Sequence, residues 1–141
     1  VVGPADGLFF PGYGPEDANP DLGDSAITET LGLGGFAMAA SPAITQFVGG
    51  TPSDALAATR SMRRITVAQH PAFPLPPLNF TGTPSGIDVI RVLDTGVLTV
   101  INTGIAHREA GIGQIGAGVV HAPAEVFMQA ISALAEARQP S

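Results

Sequence analysis

The sequence predicts an α+β fold, with several short helices packed on a small mixed β-sheet and glycine-rich loops at the strand ends. Three observations predict it. Eighteen Gly and thirteen Pro punctuate the 141 residues into short elements. Helix-start signals recur, clearest at Thr51-Pro52-Ser53-Asp54, where Thr caps, Pro takes the first helical position and Asp stands in the first turn. Val97-Leu98-Thr99-Val100-Ile101 is a short apolar run of the length and composition of a buried strand.

In chain order, Asp6 to Phe10 reads as a short strand ended by the turn Pro11-Gly12-Tyr13-Gly14-Pro15. Asp24 or Ser25 caps a helix carrying Ile27 and Leu31, which Gly32, Gly34 and Gly35 break in two. Gly34 to Ala40 is small and apolar and reads as a closely packed, buried segment. Ser41-Pro42 opens a helix to about Val48, which Gly49-Gly50 ends. The helix from Pro52 is expected to run to Gln69, stopped by His70-Pro71.

From Pro71 to Pro84 the prolines predict an extended strap held by Phe73, Leu75, Leu78 and Phe80. Thr83-Pro84-Ser85-Gly86-Ile87-Asp88 then opens a helix to about Thr95, with Asp88, Arg91 and Asp94 at every third position and Gly96 as its C-terminal stop. The Val97–Ile101 strand delivers Asn102-Thr103-Gly104 to its C-terminal end, where ligands bind in open α/β sheets. A second strand over 117–121 pairs with it. Pro123 begins a terminal helix to about Arg138, with Val126, Phe127, Ala130, Ile131 and Leu134 on its apolar face.

The stretch richest in chemistry runs from Asn102 to Gly118. It sets five glycines among Asn102, Thr103, His107, Arg108, Glu109 and Gln114. Glycine lets backbone approach a ligand closely, and the side chains offer both donors and acceptors. The stretch looks built around a small polar ligand. Gly111-x-Gly113-x-x-Gly116 matches the dinucleotide fingerprint in form but not in context, because a strand rather than a helix follows it. Gly32-x-Gly34-x-x-Ala37 is a weaker match still. With no lysine in the chain, a Walker-type phosphate loop is excluded.

Composition narrows the function further. One domain over residues 1–141 is expected, since a chain of this size buries roughly two-thirds of its unfolded surface. At 45% hydrophobic, 13% charged and a mean hydropathy of +0.31, the chain is apolar enough to predict cover by further domains of a longer parent chain or by partner subunits. The start at Val1-Val2-Gly3-Pro4, without Met or signal peptide, points the same way. No apolar run reaches the ~20 residues of a membrane span. Zero cysteines remove thiolate chemistry and Cys-based metal sites and fit a cytoplasmic protein. A net charge of −6 argues against a nucleic-acid partner. Asp6, Glu16, Asp17, Asp21, Asp24 and Glu29 gather half of the twelve acids into the first 30 residues. They read either as a solvated loop or as oxygen ligands for a divalent cation; no other cofactor is implied.

Several ordered blocks carry a resemblance: Gly23-Asp24-Ser25-Ala26-Ile27-Thr28-Glu29, Gly34-Gly35-Phe36-Ala37-Met38-Ala39-Ala40, Gln46-Phe47-Val48-Gly49-Gly50-Thr51, Gly82-Thr83-Pro84-Ser85-Gly86-Ile87-Asp88, and Asn102 through Gly118. Together they resemble the C-terminal part of the YlbE/YahG-like bacterial family, from Asp17 onward. That family includes the AllG branch, subunits of oxamate carbamoyltransferase. The resemblance implies a longer parent chain and a multi-subunit transferase. It implies chemistry on small oxyanions, exchanging a carbamoyl group between oxamate and phosphate in allantoin and purine catabolism.

Carbamoyl transfer passes through a tetrahedral oxyanion that positioned N–H groups and cations stabilise. On that chemistry His107 is the acid/base candidate, with a hydrogen-bonded structural histidine as the equal alternative. Arg108 offers a fork for carboxylate or phosphate. Asp24 and Glu29, about one turn apart, complete the catalytic candidates, although capping alone would explain Asp24. The substrate-binding candidates are Asn102, Thr103, Gly104, Gly111, Gly113, Gln114 and Gly116, with Thr83 and Asp88 from the resembling blocks. The partners expected are a small carboxylate or phosphate and other subunits. Two further readings stay open: a non-catalytic assembly domain and a small-acid binding module. Convergence of Asn102, Arg108 and Gln114 on one cleft would favour a site; dispersal would favour packing.

Overall fold

The computed structural model describes residues 5–138; Val1-Val2-Gly3-Pro4 lies outside them. The fold is α+β. In order it comprises β1 (Asp6–Phe9), α1 (Ser25–Glu29), α2 (Pro52–Arg64), β2 (Thr66–Leu75), β3 (Thr81–Ile87), α3 (Val89–Thr95), β4 (Val100–Ala106), β5 (Gln114–His121) and α4 (Ala124–Ala137). Short 3₁₀ helices cover Pro15–Asp17, Gly34–Ala40, Pro42–Val48 and Pro76–Leu78. The strands form two antiparallel sheets, one ordered β1-β5-β4 and the other the ribbon β2-β3.

The core lies where Gly34–Ala40 and α2 meet the three-stranded sheet. Phe36, Met62 and Ile65 are fully buried, and Met38, Ala55, Val92, Val100 and Phe127 close around them. The predicted packing of Gly34–Ala40 is therefore observed, with Gly35, Phe36, Met38 and Ala39 all buried. A threonine locks this segment to α2: Thr59 Oγ1 donates to the Phe36 carbonyl at 3.0 Å and accepts from the Ala39 N–H at 3.1 Å. A buried hydroxyl that satisfies two backbone groups costs far less than one left unpaired.

Helix α2 begins where predicted. The Asp54 N–H donates to Thr51 Oγ1 at 3.3 Å, and the Asp54 carboxylate accepts from the Thr51 N–H and hydroxyl, each at 2.7 Å. These bonds hold the Asp54 carboxyl below its ordinary value. Thr51→Ala is expected to cost about 1 kcal/mol in a urea melt, the usual worth of an N-cap side chain. A loss below a few tenths would show that the cap is carried by the backbone alone.

The structure shortens this helix. Residues 65–69 are not helical; Ile65 is the C-cap and Thr66 starts β2, because the β-branched run Ile65-Thr66-Val67 pairs with β3 in the register Thr66↔Ile87. The strap over 71–84 is likewise a strand ribbon. Its register breaks between His70 and Pro74, where Pro71 and Pro74 cannot donate to a ladder. Of the four apolar residues expected to clamp it, Leu75 is buried and Phe80 is 71% exposed. Thr83 through Ile87 belong to β3 rather than to a helix. Asp88 is the real cap of α3, its Oδ1 accepting from the Ile90 N–H at 2.9 Å and the Arg91 N–H at 3.4 Å.

Gly96 (φ 66°) ends α3 as expected. Strand β4 then begins at Val100 and continues through Ala106, so Asn102, Thr103 and Gly104 lie inside a strand and not at its end. Helix α4 forms as predicted, but only Phe127 of its apolar face is buried, and Val126 and Leu134 stay exposed. No helix among the described residues is long and apolar enough to cross a membrane.

Candidate functional site

The glycine-rich stretch is a β-hairpin. Strands β4 and β5 pair from Val100↔His121 to Ala106↔Gln114, and residues 107–113 turn the corner. Gly111 and Gly113 sit at the exposed tip with φ of 90° and 92°, backbone angles that a side chain would strain. Gly116 has a different purpose: a methyl there would lie 2.4 Å from the Leu8 carbonyl, so its absence lets β1 pair along β5. Gln114 folds back on its own strand, donating from Nε2 to the Gly116 carbonyl at 2.8 Å. These residues shape a hairpin and do not line a common cradle.

His107 ties the hairpin to the N-terminal segment. Its backbone bridges Ala18, its Nδ1 accepts from the Glu109 N–H at 2.9 Å, and its Nε2 lies 4.0 Å from Asp17 Oδ1. The ring meets Tyr13 edge-on at 5.7 Å, and the side chain is 7% exposed. Every contact of the ring is internal, which is the geometry of a structural histidine. Arg108 is exposed, and its backbone N–H donates to the Asp17 carbonyl at 2.8 Å. Thr83 is buried beside Gly32 with an unpartnered hydroxyl, and Asp88 pairs with Arg91 at 3.5 Å.

Glu29 is buried at 1% exposure, and its carboxylate accepts three backbone N–H groups: Gly35 at 2.8 Å and Asn102 at 3.2 Å on Oε1, and Phe36 at 3.1 Å on Oε2. Burial pushes its pKa up to about 7, and the three N–H bonds pull the other way. Through these bonds one side chain joins α1, the Gly34–Ala40 segment and β4. The backbone of Asn102 is thereby held.

What the fold does bring together is a second group, on the face where β4 meets the acid-rich segment. A cleft of about 70 Å³ is lined by Asn19, Asp21, Asp24, Thr103, Gly104 and Ile105 among others. Thr103 is its hub. The Thr103 hydroxyl donates to Asp21 Oδ1 at 2.7 Å and accepts from the Ser25 hydroxyl at 3.1 Å. Asp21 Oδ2 accepts from the Gly23 N–H at 2.9 Å. Asp24 stands at the N-cap position of α1 but makes no capping bond, because its own backbone is already helical (φ −64°, ψ −42°) and turns the side chain away from the helix N–H groups. Asp24 is exposed and lines the cleft free of that duty. Of the candidates read from the sequence, Asp24, Thr103 and Gly104 therefore converge; Asp21, Ser25 and Asn19 join them. Asp21 was visible only as one of a run of acids. Among the described residues no three His, Cys, Asp or Glu side chains are grouped to hold a metal ion.

No protein-family model matches the chain. It is 54% identical over 131 residues to the uncharacterized protein YahG of Escherichia coli, and 53% identical over 131 residues to the oxamate carbamoyltransferase subunit AllG of the same organism. These alignments cover 93% and 92% of this chain. The chain belongs to the YahG/AllG-like family. It spans 27% of the length of YahG and 31% of AllG. A crystal structure of a conserved protein of unknown function from Enterococcus faecalis V583 superposes on 96% of the chain with a TM-score of 0.92 at 54% identity, using 32% of that protein. The acidic cleft and the Glu29 junction thus lie in a chain that matches between a quarter and a third of each of these relatives.

Proposed function

We propose that this chain forms part of a carbamoyltransferase-type assembly acting on small oxyanions, oxamate or oxalurate with carbamoyl phosphate, and that its acidic cleft reads the amide end of the substrate. The observation that carries the proposal is the 53% identity to AllG along 92% of the chain. The cleft supports it chemically. A volume of about 70 Å³ is roughly twice the ~30 Å³ share of one water, enough for a group of carbamoyl size. Its carboxylates are acceptors, and a carbamoyl or oxamate NH₂ is a donor. The same carboxylates repel an oxyanion, so the cations that stabilise the tetrahedral intermediate come from elsewhere in the assembly, with Arg108 exposed on the hairpin as this chain's contribution.

The test is phosphate-dependent cleavage of oxalurate to oxamate and carbamoyl phosphate by the full-length protein reconstituted with its partner subunits. Turnover should require this chain. Asp24→Asn, which keeps the shape and loses the charge, is expected to raise KM for oxalurate about 10- to 100-fold with assembly intact, the worth of one hydrogen bond to a charged group. An unchanged KM would remove Asp24 from the substrate.

A second reading, a non-catalytic assembly domain, is favoured by α4. Val126 at 46%, Met128 at 47% and Leu134 at 39% exposure leave much of that helix's apolar surface uncovered. Assembly without any kinetic role would appear as loss of the complex, and not of KM, when α4 is altered.

A further inference from the structure

Four of the six arginines, Arg60, Arg63, Arg64 and Arg91, are carried by α2 and α3, away from the acid-rich first 30 residues. Among them Arg63 is held in a distinctive way. Its Nη2 donates to Thr81 Oγ1 and, at 3.3 Å, to the Gly82 carbonyl. Thr81 is itself oriented by donating its hydroxyl to the Leu78 carbonyl at 2.7 Å. The guanidinium is therefore fixed against β3 and not left to swing in solvent. Yet no carboxylate of the described residues lies within 4.0 Å of it, and its Nε is shut from water without any hydrogen-bond partner. A buried donor left unpaired costs about 1–3 kcal/mol, and a half-buried cation without a counter-charge adds to that cost.

A pocket of about 320 Å³ opens beside this group, lined by Arg63, Thr66, Val67, Ala68 and Gln69. Exposed Arg60 and Arg64 flank Arg63 on α2 and add to its positive field, while Arg91, whose Nη1 donates to the Thr66 carbonyl, is offset by its pair with Asp88. Asp88 is already committed to Arg91 and to the first N–H groups of α3. Arginines in the last turn of a helix also suit its dipole, but Nη2 of Arg63 bonds to β3 instead of to the carbonyls ending α2.

We propose that Arg63 is the receptor for an oxyanion, a carboxylate or phosphate, bound in this pocket. The anchored guanidinium holds its Nη1, which makes no hydrogen bond among the described residues, in place for such a group, and the amide of Gln69 adds a polar wall. The oxyanion is either a free small molecule or an Asp or Glu side chain of a partner polypeptide. The site is separate from the acidic cleft and does not rest on the carbamoyltransferase reading.

The test follows the Nε–Hε resonance of Arg63 in the full chain by ¹⁵N NMR, identified by its disappearance in Arg63→Lys. Inorganic phosphate, acetate and a synthetic Glu-rich peptide are titrated in turn. A saturable shift is expected, with at least a tenfold loss of affinity in Arg63→Gln and a several-fold loss in Thr81→Val, which frees the anchored nitrogen. Saturation by phosphate or acetate identifies a free small oxyanion; saturation by the peptide alone identifies a partner's side chain. A resonance that none of the three moves, or equal affinity in Arg63→Gln, overturns the proposal. Should Arg63→Gln unfold, the wild-type titration decides alone. Failure here would leave the oxalurate assay and the Asp24→Asn result unaffected.

Discussion

Glu29→Gln is expected to lower stability by about 1–3 kcal/mol and to remove a pH dependence that the wild-type chain shows between about pH 4.5 and 7. One amide oxygen can still accept from Gly35 and Asn102, which share Oε1, but the amide nitrogen then confronts the Phe36 N–H, donor against donor, in a site 1% exposed. The pH dependence follows from linkage. With a pKa of about 7 in the folded chain against 4.5 unfolded, the folded form holds a proton that the unfolded form releases first. The contribution is complete below about 4.5 and is lost as pH rises through about 7, a change on the order of 3 kcal/mol at ~1.4 kcal/mol per pH unit. Urea melts of both proteins from pH 4 to 8 check this. A wild-type advantage that grows with pH, where it should shrink, would show that the three N–H bonds outweigh burial.

Gly35→Ala should be nearly as damaging for a steric reason. A methyl on Gly35 would lie 2.3 Å from the Val100 carbonyl oxygen and 2.7 Å from its carbon, backbone atoms that cannot swing aside. The Gly34–Ala40 segment would have to part from β4, and the Glu29 carboxylate would lose its partner on one side. We expect a loss of roughly 3 kcal/mol and a fall in Tm on the order of 10 °C. Gly111→Ala is the control: nothing lies within 4 Å of the added methyl, so only the left-handed backbone angle resists it, at about 1–2 kcal/mol. Equal effects of the two substitutions would contradict the close contact at Gly35.

Local chemistry made much of the fold legible. The capping threonine at position 51, the left-handed stops at Gly49 and Gly96 and the terminal helix after Pro123 each depend on residues within a turn or two, and each is where the sequence places it. The ribbon of β2 and β3 was not legible. Thr83-Pro84-Ser85 imitates a helix start, and Pro71 and Pro74 argue against a strand, but pairing between Thr66 and Ile87 overrides both. That pairing is a property of two segments together, and no window of one segment contains it.

The site divides in the same way. The sequence by itself determined which chemistry is absent, namely lysine and thiolate, and which stretches are rich in polar groups and glycine. It also carried the family resemblance, since ordered blocks survive being read one at a time. Only the tertiary structure decided which polar groups meet. Glu29 finds Asn102 across 73 positions and Asp21 finds Thr103 across 82, while His107, Gln114 and Gly116, close in sequence to Thr103, are spent on building the hairpin. Burial removes water as a partner, so each buried polar group must take whichever protein group the fold delivers to it, and that delivery is set by strand register and segment packing, which no single stretch of sequence encodes.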